Sequence, residues 1–367
     1  MAMYIVKPWY RKKDDAIYGA EWAGTSDPSW VRTDAAVGFS NPNPYYSGMS
    51  TTPSSPFDNI MPWAGIRRVT DANAGELVEI PKFYYKWTRD GVKMKLQISM
   101  SAFDGSHVSP AHADRGDGVG ERDYVYVGRY HCASDYKSKT GVTPKSNVTR
   151  ATFRSGIHAL GSNVWQNDYA MRWTIGLLYL VEYAHWDSQT KIGYGSGNGS
   201  RVENMGYTDN MPYHTGTTQT SRTTYGLGTQ YRYIEGLWDN LFDLCDGIYF
   251  SNANIYCIKN PADFAETGGT YVGSRSVNQG CIKSFTSPSQ TGFEYALYAN
   301  ELVSDMTTYT TDFSNNASWG QILFCGGYWV NELKNGLFCT FASDTTSFSG
   351  GYAGSRLMVL PPSRLSA

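Results

Sequence analysis

The chain has 367 residues and a formal net charge of -2, with 17% charged and 15% aromatic residues, 28 of the aromatics being tyrosines. Without a basic excess to neutralise phosphates, nucleic acid is not an expected partner. A chain this aromatic and this sparsely charged is not a disordered one, and its length suffices for one large core or two moderate ones.

The abundance of glycine (38 residues) argues for many tight turns. No run of about twenty apolar residues occurs, so no membrane insertion is expected. The first residues lack the basic start and long apolar segment of a secretory signal. Six cysteines (Cys132, Cys245, Cys257, Cys281, Cys325 and Cys339) are scattered, with no Cys-x-x-Cys pair. The expectation is buried thiols, with no metal and no cofactor.

Residues 4–13 read as one strand with a basic end, and residues 39–48 and 51–56 concentrate Gly, Ser, Asn and Pro in turns and extended segments. We expect residues 1–75 to form an N-terminal attachment or oligomerisation region with short strands, ahead of a main domain over 76–367. The alternative, that the region simply wraps the main domain, stays open. Residues 76–86 alternate as a β-rich run broken at Pro81, and residues 93–99 alternate as well. The stretch 106–121 holds His107, His112, Asp114, Asp117 and Glu121. Its acids are not at calcium-loop positions and its histidines are not on a helix, so it reads as a solvated loop. Arg115-Gly116-Asp117 within it is an integrin-type tripeptide by composition, attributed to chance in a turn-prone stretch.

Two helices follow. Residues 150–160 carry Phe153, Ile157 and Leu160 at helical spacing, with Thr149 as N-cap and Gly161 as stop. Residues 168–186 carry a wide stripe of Met171, Ile175, Leu178, Val181 and His185, which marks a core-facing helix. Glu182 and His185 on it read as a satisfied buried contact rather than a catalytic dyad. Residues 190–230 have almost no apolar periodicity and read as a long surface insertion. Trp238 and Phe242 are expected in the core, residues 248–251 and 255–259 as a hairpin, and residues 260–318 as mostly loop.

The C-terminal region has three short apolar runs, 322–325, 337–341 and 357–360, which have strand length. Between them lie loops 328–335 and 344–352, whose Tyr, Trp, Asn, Ser, Thr, Asp and Phe form a mixture typical of binding loops. Gly326-Gly327 allows a turn or the close approach of a neighbouring backbone. One hairpin register would set Cys325 opposite Cys339, but two small buried hydrophobes is the preferred reading.

A resemblance attaches to these residues. Gly326-Gly327-Tyr328-Trp329, followed by Gly354-Ser355-Arg356-Leu357, resembles the closing pattern of the formylglycine-generating-enzyme branch of the C-type lectin fold. Residues 233–247, with Trp238 and Asp246-Gly247, resemble that fold's Trp/Asp-Gly segment. Residues 79–85, 123–130, 149–155 and 177–189 resemble phage-associated members. Over roughly residues 78–362 the set is similar to the variable proteins of diversity-generating retroelements, phage tropism determinants among them.

The resemblance implies an α+β, loop-rich C-type lectin-like fold with two helices flanking small antiparallel sheets. It implies a ligand-binding protein of a phage or prophage tail tip that meets a bacterial cell-surface receptor, protein or glycan. Other tail proteins would be met through the N-terminal region, and a homotrimer is in keeping with the family. The implied contact residues are Tyr328, Val330, Asn331, Glu332, Leu333, Lys334, Asn335, Ser343, Asp344, Ser347, Ser349 and Tyr352. Trp238, Trp329 and Arg356 are expected as scaffold, with Arg356 donating to loop carbonyls or an acid.

No enzyme is expected. The copper-holding cysteine pair of the formylglycine generators is not matched, because Cys325 precedes Gly326 and Cys339 lies fourteen residues on. No Ser/His/Asp arrangement or Gly-x-Ser-x-Gly elbow is visible. Calcium-dependent sugar binding is not implied either, since Glu-Pro-Asn and Gln-Pro-Asp motifs are absent. The alternatives are a formylglycine-generator-like oxidoreductase and a structural tail protein.

Overall fold

The strand Leu357–Val359, almost at the end of the chain, lies inside a five-stranded sheet, between Tyr124–Gly128 and Val164–Gln166. Met358 pairs with Val127 on one side and Trp165 on the other. The hairpin Arg67–Asp71/Gly75–Pro81 completes that sheet. The computed structural model describes residues 15–365 apart from 197, 198, 200 and 227, so the strand expected at 4–13 lies outside the described residues. The molecule is rich in β-strands and loops, with few helices.

A second five-stranded sheet joins the two ends of the proposed domain division. Tyr18–Trp22 pairs with Lys93–Ser99 in the register Tyr18↔Ile98 to Trp22↔Met94, and Val31–Asp34 pairs with its other edge. Trp22 and Trp30 then pack on Trp186, with ring centroids 5.7 and 5.1 Å away. The described part of residues 1–75 thus shares the main core. Position 75 is itself the first residue of the second strand of a hairpin.

Helix α1 spans Arg150–His158, capped by Thr149, whose side chain accepts from the Thr152 amide. Helix α2 spans Tyr169–Tyr183, capped by Asp168, whose carboxylate accepts from the Met171 amide. It stops earlier than expected because Ala184 turns left-handed at φ 49°. Helix α2 packs against the sheet strands Tyr18–Trp22 and Lys93–Ser99, and because all fifteen of its residues are buried it is covered on its other faces as well. Glu182 in its last turn is fully buried and accepts from Arg232, Tyr231 and Ser55. It does not bond His185, whose Nδ1 accepts from the Asp187 amide. A short helix α3, Ser188–Ile192, follows.

One expectation is refined and another corrected. Residues 260–318 are mostly loop, as expected, but they also contribute strands Thr270–Ser274, Gln279–Phe285, Ala299–Val303 and Phe313–Asn316. The pairing of Gln279–Phe285 with Ala299–Val303 shifts register twice, which breaks the period-two pattern that marks a strand in sequence. Residues 190–230 are not a purely surface insertion, since Thr208, Thr215 and Thr217 are buried. Buried carboxylates hold this segment. Glu235 accepts from the amides of Gly206 at 2.6 Å and Thr208 at 2.9 Å. Asp239 accepts from the Thr229 amide and hydroxyl and from the Tyr207 hydroxyl. A segment fastened by polar bonds leaves no apolar stripe to read.

A seven-stranded sheet carries the C-terminal region, in the order Ala299–Val303, Gln279–Phe285, Phe313–Asn316, Thr340–Ala342, Leu323–Cys325, Phe242–Cys245, Ala353–Gly354. The first apolar run therefore sits between the second and the Trp238 region. Cys325 pairs with Thr340, not Cys339, and the thiol it meets is that of Cys245, 3.4 Å away. The expected hairpin Ile248–Ser251/Asn254–Cys257 is present, with Ser251 paired to Asn254.

Candidate functional site

Loop 328–335 leaves the sheet through Gly326 and Gly327, both at positive φ (89° and 98°). A Cβ at Gly326 would stand 2.3 Å from the Leu237 carbonyl oxygen, and one at Gly327 1.7 Å from Asn335 Oδ1. Only glycine lets the chain pass this close to its neighbours. The loop then closes on itself. The Tyr328 amide donates to Asn331 Oδ1 at 3.1 Å, and a single 3-10 turn, Glu332–Lys334, returns the chain.

Loop 344–352 is tied at both ends. Gln321 donates its amide to the Asp344 carbonyl at 2.8 Å, and its side-chain oxygen accepts from the Thr346 amide at 3.2 Å. At the far end the Phe242 amide donates to the Tyr352 carbonyl at 3.1 Å, next to the parallel pairing of Phe242 with Ala353.

The two loops share one aromatic floor. Phe242 lies 5.1 Å from Tyr328 and 4.8 Å from Phe341, centroid to centroid. Tyr328 and Tyr352 are 5.1 Å apart, and Phe348 packs at 5.0 Å on Tyr352 and 4.9 Å on Phe324. Such pairs add about 0.5–1.5 kcal/mol each beyond their buried area. They make the two loops one surface.

Of the expected contact residues, Val330, Glu332, Leu333, Ser347 and Ser349 are exposed. Tyr328, Asn331, Lys334, Ser343, Asp344 and Tyr352 are half-buried. Asp344 accepts from the Ser343 hydroxyl, and burial raises its carboxyl above the ordinary value against that bond. Lys334 lies over the Phe313 ring, 4.9 Å from its centroid. Asn335 is a correction: it is 1% exposed and donates to the Tyr328 carbonyl at 3.2 Å, so it holds the loop from within and offers nothing to a ligand.

Among the expected scaffold residues, Trp238 is fully buried and donates its indole N–H to the Gly193 carbonyl at 2.9 Å. Trp329 is half-buried, and its backbone is held on both sides: its amide donates to the Asn240 carbonyl and its carbonyl accepts from Gly199. Arg356 is fully buried. It donates to the carbonyls of Gly128, Arg129, Glu235 and Gly236 at 2.8–3.2 Å and to the Asp243 carboxylate at 3.2 Å.

Sequence reasoning missed Trp319. It is 67% exposed, and its indole donates to the Ser343 carbonyl, which sets the ring at the edge of loop 344–352. An aromatic flanked by Ser318 and Gly320, outside the apolar run, was the available signal. Gly199 and residues 201–207 also border the face, through the Gly199–Trp329 bond and through Asn240. By contrast, the Arg115-Gly116-Asp117 tripeptide is not displayed. Arg115 is buried against Asp168, and Asp117 is bonded by Arg122. His112 is buried, bonded to Ser109 and to the Ile80 carbonyl.

No family model matches the chain, and no curated protein matches it. Among solved structures it is similar to a chain titled Major Tropism Determinant U1 Variant, at 11% identity and a TM-score of 0.31. That alignment covers 64% of this chain and 50% of the other, so the chain spans about half the length of this neighbour.

Proposed function

We propose that this chain is a receptor-binding protein of a phage or prophage tail tip, presenting loops 328–335 and 344–352 on a C-type lectin-like scaffold of the formylglycine-generating-enzyme branch. The observation that carries the reading is the convergence of the two loops on one aromatic floor, with Tyr328 and Tyr352 5.1 Å apart beneath exposed Val330, Leu333, Ser347 and Ser349. A rigid, tied platform under a mixture of small polar and apolar side chains is the physical requirement of a recognition surface. The sequence resemblance supplies the setting: a bacterial surface receptor as ligand, attachment to other tail proteins through residues 1–75, and a homotrimer, which would strengthen weak single contacts through avidity.

The test replaces only the exposed residues Val330, Glu332, Leu333, Ser347 and Ser349 with Gly or Ser and leaves Asn331 and Asn335 in place. Binding of purified protein to intact gut-bacterial cells should fall to background while the thermal midpoint stays near that of the parent. Undiminished binding by a folded variant places the receptor surface elsewhere.

A further inference from the structure

The three-stranded sheet Ile248–Ser251, Asn254–Cys257 and Thr270–Ser274 turns Phe250, Ile255, Cys257 and Val272 inward. Its outer face carries Tyr249, Tyr256 and Tyr271 side by side, one from each strand. Their ring centroids are 6.1 and 5.9 Å apart. Tyr271 is 43% exposed, and Tyr249 and Tyr256 are half-buried. Among the described residues these rings pack on one another and join neither hydrophobic core. A β-bulge sets them in line. The pairing skips Val272, so Tyr271 and not Val272 stands opposite Tyr256. Bulges re-aim side chains in this way, and they concentrate beside functional surfaces.

The next rung on the same face is Ser251, Asn254 and Ser274. None of these six side chains is charged. Tyr271 and Ser274 share a hydrogen bond of 3.0 Å between their hydroxyls. Beyond this rung the strip continues to the loop face. Buried Arg275 donates to the Asn252 carbonyl at 3.2 Å, in the turn of the hairpin, and to the carbonyls of Ala317 at 2.9 Å and Gly320 at 3.0 Å. It thereby fixes the hairpin turn beside exposed Trp319, whose indole bonds Ser343 at the edge of loop 344–352.

The chemistry of the strip selects its occupant. A single-stranded nucleic acid also stacks on aromatic rings, but it needs basic side chains along its backbone, and the strip has none. Three rings, none more than half exposed, fall well short of the roughly 800 Å² per partner that a specific protein interface buries. A sugar ring has an apolar face of C–H bonds and a rim of hydroxyls. It matches amphipathic tyrosines followed by Ser and Asn, with no charge to satisfy on either side. We propose that the strip formed by Tyr249, Tyr256 and Tyr271, continued by Trp319, binds an uncharged glycan chain. The proposal rests on the receptor-binding reading only for the source of that glycan, the bacterial surface.

The experiment is affinity electrophoresis of the whole chain through native gels containing a β-glucan, a mannan, a galactan or an uncharged bacterial O-polysaccharide. At least one should retard the parent protein. Tyr256→Thr and Tyr271→Thr keep a strand-forming residue on the outer face and should each weaken that retardation roughly tenfold, with the thermal midpoint unchanged. Trp319→Ser should weaken it too. The variant altered at Val330, Glu332, Leu333, Ser347 and Ser349 should still be retarded, so a failure of the loop reading leaves this one standing. Retardation by none of the four polysaccharides overturns the proposal, and so does undiminished retardation of the folded threonine variants. A parent oligomer that Tyr271→Thr dissociates in sedimentation would make the strip a contact between copies and overturn it as well.

Discussion

Asn240 clamps Glu203 by its backbone. Its Oδ1 accepts from the Glu203 amide and its Nδ2 donates to the Glu203 carbonyl, both at 2.9 Å. The carbonyl of Asn240 in turn accepts from the Trp329 amide at 3.2 Å. One residue therefore ties Glu203, and with it segment 201–207, to loop 328–335. Asn240 adopts φ 46°, a conformation that asparagine and glycine tolerate best.

Asn240→Gly keeps that backbone conformation and removes the clamp. We expect it to cost about 1–2 kcal/mol, the worth of two partly buried hydrogen bonds. Amide exchange should speed up in residues 201–207 and at Trp329 while the central sheet keeps its protection. Unchanged exchange at these amides would show that the clamp is not what orders the segment.

Arg356 joins parts of the chain that are far apart in sequence: the Gly128–Arg129 carbonyls at the end of one strand, the Glu235–Gly236 turn, and Asp243. Arg356→Met would leave the Asp243 carboxylate with its guanidinium partner gone and four carbonyls without donors. The expected loss is about 3–5 kcal/mol by urea unfolding. Arg356→Lys should recover little of it, because a single ammonium cannot reach carbonyls that a planar fork spans from two sides. Near-parental stability of the lysine variant would refute the fork argument.

All six cysteines are free and buried. Burial raises the thiols of Cys132, Cys257 and Cys339 well above the ordinary value, and that of Cys281 to about 12. For Cys245 the bond to Cys325 is the leading cause, followed by burial. Thiolate, not thiol, is the reactive form. A disulfide reagent at pH 8 should therefore find almost no reactive thiol in the folded protein and six after denaturation. A thiol that reacts at once in the folded state would contradict the buried arrangement.

The caps, the central helix and the scaffold arginine were legible because each has a local chemical signature. Thr149 and Asp168 cap as their side chains dictate, and Arg356 follows a Gly-Ser pair at the start of an apolar strand. The loops were legible as loops, but their inner and outer residues were not. Asn335 and Ser349 look alike in sequence, yet one is buried beneath Tyr328 and the other is exposed. Burial within a tied loop depends on the partner chain segment, here Gly327, which no local pattern reports. The same holds for Gly206, Tyr207, Thr208 and Thr229, which the buried carboxylates of Glu235 and Asp239 hold from outside the stretch 190–230. It holds again for the strands after residue 260, whose register shifts erase the alternation.

Glu235 makes the pH dependence specific. Burial raises its carboxyl from 4.5 to about 7, against the hydrogen bonds from Thr208 and Gly206. Between those pH values the folded chain keeps a proton that the unfolded chain has released. Stability is therefore lost as pH rises from about 4.5 through 7, by an amount on the order of 3 kcal/mol. The histidines act in the opposite sense. Burial lowers His131 and His112 to about 4, so the unfolded chain takes up protons near pH 6.5 that the folded chain refuses. Their contribution is present above pH 6.5 and is lost as pH falls toward 4. The two trends overlap in the wild-type curve, and Glu235→Gln separates them. The variant pays for one misplaced amide at every pH, but it carries no carboxyl to ionise. Its stability relative to wild type should rise from pH 4.5 to about 7 and level off by pH 8, measured by urea unfolding at half-unit steps. A difference that stays flat across that window would mean that Glu235 is already ionised in the folded chain. In that case the hydrogen bonds from Gly206 and Thr208 outweigh its burial.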